Sequence, residues 1–219
     1  MGTITRSFAN NITTSGVLLP ASLNNNSIAN VTSYNAAIAT GNMVLLSTQT
    51  ASNSASISFT TGIDSTYKEY QFYFINIGTR TNNDEFGFLT STNGGTNYGN
   101  TVTNTTFRAF HQEDNSNQGL GYVGDFDLAQ ATGLNSLSIN QGNNADDSYC
   151  GNMILFNPAS TTYVKHFIAS GCNAHDTASP LVVNNYLAGY VNTTSAVNAI
   201  QFKASSGNID GTILMYGIV

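Results

Sequence analysis

Charge is what this chain has least of. Only 8% of its 219 residues are Asp, Glu, Lys or Arg, against about 25% in an ordinary soluble domain. Its polarity comes instead from Asn, Thr, Ser and Gly, which hydrogen-bond and suit turns but do not exchange protons at neutral pH. That weighs against acid–base catalysis and favours a building or binding part. Cations are scarcest of all. The six are Arg6, Lys68, Arg80, Arg108, Lys165 and Lys203, scattered along the chain, whereas nucleic-acid binding needs cations clustered against phosphates. Tryptophan is absent, which removes the Cys-Trp-Cys arrangement of immunoglobulin domains. No run approaches the 18 apolar residues of a membrane-spanning helix. The opening MGTITRSFANNITTSG lacks the basic stretch and apolar core of a signal peptide, so the expectation is a protein made and kept in the cytoplasm.

Cysteine is equally sparse. Cys150 and Cys172 are either a disulfide or two reduced, buried small residues of a cytosolic protein. A hairpin centred on Asn157-Pro158-Ala159-Ser160 would set Cys150 opposite a residue near Ala169, three short of Cys172, which favours free thiols. At this length the chain buries roughly 70% of its unfolded surface and needs neither disulfide nor metal to be stable.

Short β-rich runs are what the chain does contain. Residues 1–40 are polar and weakly periodic, with isolated apolar groups at Phe8, Val17, Leu18 and Leu19. Such a segment buries too little apolar surface to fold alone, and it reads as an N-terminal anchoring arm. From residue 41 onward, β-branched and aromatic segments alternate with Gly, Asn, Asp and Ser clusters. Strands are expected at 42–49, 54–60, 67–77, 85–91, 105–112, 134–140, 148–156, 161–169, 184–192, 197–204 and 211–218. In YKEYQFYFINI, Tyr70, Phe72 and Phe74 share one face and Tyr73, Ile75 and Ile77 the other, so this strand should be central and covered on both sides. In VNAIQFKA, Ile200 and Phe202 oppose Gln201 and Lys203, as in a strand wetted on one face. The Asn-Gly-Gly of 93–95 and the SSGNIDG of 205–211 are turn chemistry. Together these predict an all-β domain over 41–219, an antiparallel two-sheet sandwich of jelly-roll type, with immunoglobulin-like topology as the alternative.

Four segments carry a resemblance. ASISFTTGIDSTYKEYQFYFINI, FGFLTSTNGG, ILFNPASTTYVKHFIA and AVNAIQFKASSGNIDGTILMYGI resemble a domain of tailed-bacteriophage virion proteins, notably of marine phages, usually termed tail-fibre or structural proteins. The ending is the most specific part, an S-S-G-N-I turn, then G-T-I and Y-G-I, with Asp210 and Met215 as departures. The resemblance implies a non-enzymatic subunit on the virion surface, as head decoration, collar or short tail appendage. It implies an arm that holds a neighbouring virion protein, and a homo-oligomer, a trimer by analogy with other phage surface jelly rolls. The alternative is a receptor-binding tip for host-surface carbohydrate.

Individual residues add candidates. Amides, hydroxyls and exposed rings suit sugars, and Tyr98, Tyr122 and Tyr149 are the tyrosines least clearly assigned to a core. They are the candidate glycan-binding residues, the alternative being half-buried loop anchors. His111 with Glu113, and His175 with Asp176, lack zinc spacing. Asp125 and Asp127, Asp146 and Asp147, and the Asn82–Glu85 run offer calcium-type oxygens without EF-hand spacing, and read as turn acids. No catalytic residue, metal or cofactor is assigned.

Overall fold

In a computed structural model, residues 42–175 and 180–219 are described, and Gly41–Val219 form one compact unit. The arm residues Phe8, Val17, Leu18 and Leu19 lie outside the described residues. The described chain is all-β, two antiparallel sheets packed as a sandwich. Its strands are β1 (Met43–Ser54), β2 (Ile57–Phe59), β3 (Glu69–Thr79), β4 (Phe86–Ser91), β5 (Val102–Gln112), β6 (Gln118–Tyr122), β7 (Asn135–Ser136), β8 (Tyr149–Phe156), β9 (Lys165–His175), β10 (Leu181–Val191), β11 (Ala199–Ala204) and β12 (Ile209–Ile218). The large sheet has the order β1-β12-β3-β8-β9-β10-β5-β6 and the small one β2-β11-β4-β7. Twelve strands divided eight and four take the place of the eight of a simple jelly roll.

Aromatic residues join the two sheets. Phe202, at the centre of β11, has ring centroids 5.2 Å from Phe72, 5.1 Å from Phe74, 6.1 Å from Phe59 and 6.3 Å from Phe88. All five rings are buried. Alternation within β3 and β11 sends these rings inward, while Gln201 and Lys203 stay half-buried on the other side of the small sheet, as the pattern predicted.

The expected covering of β3 on both faces is corrected. Tyr70, Phe72 and Phe74 are buried, but Ile75 on the opposite face is 46% exposed. The register shifts between Phe74 and Ile77, where Asn76 takes a positive φ of 51°. This bulge turns Ile77 to the inner side, where it is fully buried. β12 shifts at the same level, between Asp210 and Thr212. There Gly211 has φ 118°, and a Cβ on it would lie 2.5 Å from the Asn76 carbonyl oxygen, so only glycine fits.

Two further expectations change. No strand is expected over 118–122, yet β6 pairs with β5 from Phe107↔Tyr122 to His111↔Gln118. The 134–140 segment contributes only the two residues of β7. Inward-facing amides tie β7 and the loop after β6 to the large sheet and bond to each other within that sheet. Buried Asn104 donates to Asn135 Oδ1 at 2.9 Å and accepts from the Leu128 N–H at 2.6 Å, and Asn185 donates to Asn173 Oδ1 at 2.8 Å.

Replacing Phe202 with Ala removes the ring shared by both sheets, and should lower unfolding free energy by about 3–5 kcal/mol. Urea unfolding followed by circular dichroism measures this.

Candidate binding face

The three tyrosines singled out from sequence fall in three different environments. Tyr122 is 70% exposed and lies on edge strand β6, where its hydroxyl donates to Asp127 Oδ2. Tyr98 is half-buried, its hydroxyl buried and unpartnered above Gly95, so it anchors its loop. Tyr149 is a correction. Its side chain is completely buried, with its ring centroid 5.8 Å from those of Phe74 and Phe86, and it presents no face to a sugar. Burial pushes its hydroxyl pKa far up. The ring occupies the space above two glycines of the β8–β9 pair: a Cβ on Gly171 would lie 2.3 Å from the Tyr149 hydroxyl oxygen, and one on Gly151 2.6 Å from it. Nothing in DDSY marks this tyrosine as internal; the glycines opposite it are the only sequence signal.

The residues that accompany Tyr122 come from the outer side of the eight-stranded sheet. Register alignment places Tyr122, Phe107, Tyr186, Ser170, Asn152, Tyr73, Leu214 and Thr48 in one rank across all eight strands. Phe107 and Tyr186 are stacked, centroids 4.7 Å apart and planes 8° from parallel. Phe107 is 45% exposed and Ile168, in the adjacent rank, 53%. Two shallow troughs cross this face. One, of about 440 Å³, runs between Phe156, His166 and Tyr190 over Ala188 and Gly189; the other, of about 310 Å³, lies between Phe107, Tyr186 and Ile168. Amides frame the first: Gln130 Nε2 donates to the Tyr190 hydroxyl at 3.2 Å and to Thr103 Oγ1 at 2.6 Å. Phe107, Ile168 and Tyr186 are legible as a second apolar face in TTFRAFHQ, TTYVKHFIA and NNYLAGYVN, by the alternation argument applied above to β3 and β11.

Other candidates are occupied by structural roles. Asp84 is buried and accepts from the Ser205 and Ser206 hydroxyls and the Ser206 N–H. Asp127 accepts from the Thr106 N–H at 2.7 Å, and Asp147 from the Asn144 N–H at 3.0 Å. Among the described residues no three His, Cys, Asp or Glu gather as a metal site. His111 is exposed at the outer side of β5. A polar cleft of about 610 Å³ is lined by Asn76, Arg80, Asn143, Asn144 and Asp210. Arg80 and Asp210 pair there at 2.7 Å, and this ion pair, with the Asn53 N–H, holds the Asp210 carboxyl below the usual range.

The cysteines are free but exposed where burial was expected, and the register expected for them is corrected as well. Cys150 stands directly opposite Cys172, because the connection between β8 and β9 spans 157–164 instead of a four-residue turn. Cys150 Sγ points to β3, accepting from the Asn76 N–H at 3.2 Å.

Lys165 is a buried cation. Its ammonium donates to the Tyr163 and Thr193 carbonyl oxygens at 2.7 and 2.9 Å, and burial pushes its pKa down.

Comparison with known protein families, characterised proteins and solved structures returns no match.

Two substitutions test these environments. Gly171→Ala should cost about 1–3 kcal/mol, because the added methyl overlaps the Tyr149 ring, read as a lowered urea midpoint. Lys165 binds its proton less tightly folded than unfolded. Its contribution to stability should therefore rise with pH from the lowered pKa up to the ordinary 10.5, while the raised pKa of Tyr149 makes stability fall above pH 10. Thermal melts of wild type and Lys165→Met isolate the lysine: the melting-temperature difference should shift in favour of wild type as pH rises across that window.

Proposed function

We propose that this chain is a non-enzymatic structural subunit of the exterior of a tailed-phage virion, a head decoration, collar or short tail appendage. It is of jelly-roll type and held to neighbouring virion proteins through residues 1–40. The observation that carries the structural reading is how the polar groups are used. The carboxylates of Asp84, Asp127, Asp147 and Asp210 are tied to backbone N–H groups, hydroxyls or Arg80 within the domain's own turns. The exposed apolar groups, by contrast, gather on one sheet face. A domain that ties up its acids internally and leaves open a surface poor in charge is suited to assembly. The virion assignment itself rests on the phage-like segments, above all the SSGNIDGTILMYGI ending.

A second reading is favoured by the Tyr122, Phe107 and Tyr186 rank. Exposed rings beside amides and hydroxyls are also what a glycan-binding surface needs, so host-surface carbohydrate is the competing ligand. Tyr122 remains a candidate for that contact, while the burial of Tyr149 and the loop-anchoring position of Tyr98 remove them.

Electron microscopy of whole particles carrying an antibody to this chain should place it on the outer surface of head or tail; absence from particles overturns the reading. Deleting residues 1–40 should leave a folded β domain, by circular dichroism, that no longer joins particles. A strong signal on a host-glycan array would favour the competing ligand.

A further inference from the structure

Every strand of the large sheet turns a second set of side chains away from the core. Across the sheet, that outer side carries two charged residues from the paired strands, both at its margins: Glu69, whose carboxylate accepts from Gln71 Nε2 at 2.7 Å, and Asp210, opposite Gly78 and ion-paired with Arg80. Tyr73, Ile75 and Leu214 occupy one half of it, Ile168, Tyr186 and Phe107 the other. In the isolated domain this apolar set is solvent-facing, even though β3 has the two-sided pattern of a strand covered on both faces.

We propose that the outer face of the eight-stranded sheet is buried against the same face of a second copy of this chain. Three observations argue for that occupant. Area is the first. Eight strands about 4.8 Å apart, each carrying three or four outward residues about 6.8 Å apart, offer roughly 800 Å². A stable interface buries about that much on each partner. Charge is the second. The chain has a net charge of −6, so two copies repel unless they meet through a neutral patch, and on this face the formal charges are confined to opposite ends of β3, Glu69 at one and Asp210, neutralised by Arg80, at the other. The third is the distribution of side chains. The β6-β5-β10 end is richer in aromatic groups, with Tyr122, Phe107 and Tyr186 beside Leu120, and the β1-β12-β3 end is richer in aliphatic groups, with Leu45, Leu214 and Ile75 around the Tyr73–Tyr216 pair. Between them, on β8 and β9, Ser170 donates to Asn152 Oδ1 at 3.2 Å. A two-fold axis through this central pair sets the aromatic end of each copy on the aliphatic end of the other. That is the self-complementarity an isologous contact requires. Oligosaccharide fits less well, because Ile75, Ile168, Leu45 and Leu120 give it neither ring faces nor hydrogen bonds. The inference stands independently of where in a virion, or outside one, the chain acts.

The test is the solution mass of the full chain by light scattering at about 100 µM, above the micromolar-to-picomolar dissociation constants of interfaces this size. Twice the 23.2 kDa chain mass is expected. Phe107→Glu and Ile168→Glu, both at exposed positions, should each weaken the dimer at least about tenfold with unchanged circular dichroism. Tyr163→Glu, at an exposed turn residue outside the face, should not. Nitration of the wild-type protein gives a reading without substitutions: Tyr122 and Tyr186 should become protected as concentration rises while Tyr163 stays reactive. A monomer, a trimer, a dimer that survives both face substitutions, or equal reactivity of the three tyrosines at all concentrations would overturn the proposal. A monomer whose glycan binding is lost in Ile168→Glu would assign the face to carbohydrate instead.

Discussion

The packing of Phe202 against rings from both sheets is the contact on which the rest of the domain depends. It fixes which side of β3 faces inward, since Phe72 and Phe74 must meet it. Through the pairings on either side of β3, it orients the neighbouring strands of the large sheet as well. Once the inner side is set, strict two-residue alternation sends Tyr73, Ile154, Ile168, Tyr186 and Phe107 outward together. Core and outer face are therefore two consequences of one constraint. A slip of one residue in β3 would exchange them.

Amide-rich composition has a matching physical role. A four-stranded sheet cannot cover the inner side of an eight-stranded one, and the uncovered part is closed by the loop following β6. Loops carry unpaired backbone groups, which are costly to bury. Asn104 and Asn135 supply neutral donors and acceptors where a charged side chain would incur a large desolvation cost. Asp84, Asp127 and Asp147 hold turns differently, as carboxylates that accept from backbone N–H groups and hydroxyls. The shortage of charge is thus a feature of how the loops are held, as well as of the surface.

Legibility from sequence followed the range of the interactions. Strand existence was readable almost throughout, because alternation is local: β3, β8, β11 and β12 lie within two residues of their expected bounds. β6 was missed because Gly119 and Gly121 suggest a turn, and only pairing with β5 makes QGLGY extended. The direct Cys150–Cys172 opposition was missed for a similar reason, since the length of the β8–β9 connection is set by what Asn157 and Ser160 bond to. Of the candidate tyrosines, Tyr122 is exposed and Tyr149 is internal, a difference no local pattern around either residue encodes.

Composition and alternation by themselves determined that this chain is all-β, antiparallel and poor in charged side chains, because these follow from which residue types are present and how they repeat. The tertiary structure decided the rest: the eight-and-four division, the inward turn of Ile77 at the Asn76 bulge, the burial of Tyr149 over Gly151 and Gly171, and the gathering of Phe107, Tyr186 and Ile168 on one face. Each depends on pairings between residues distant in the chain, and a strand's sequence states that it has two faces without stating which one the other sheet will cover.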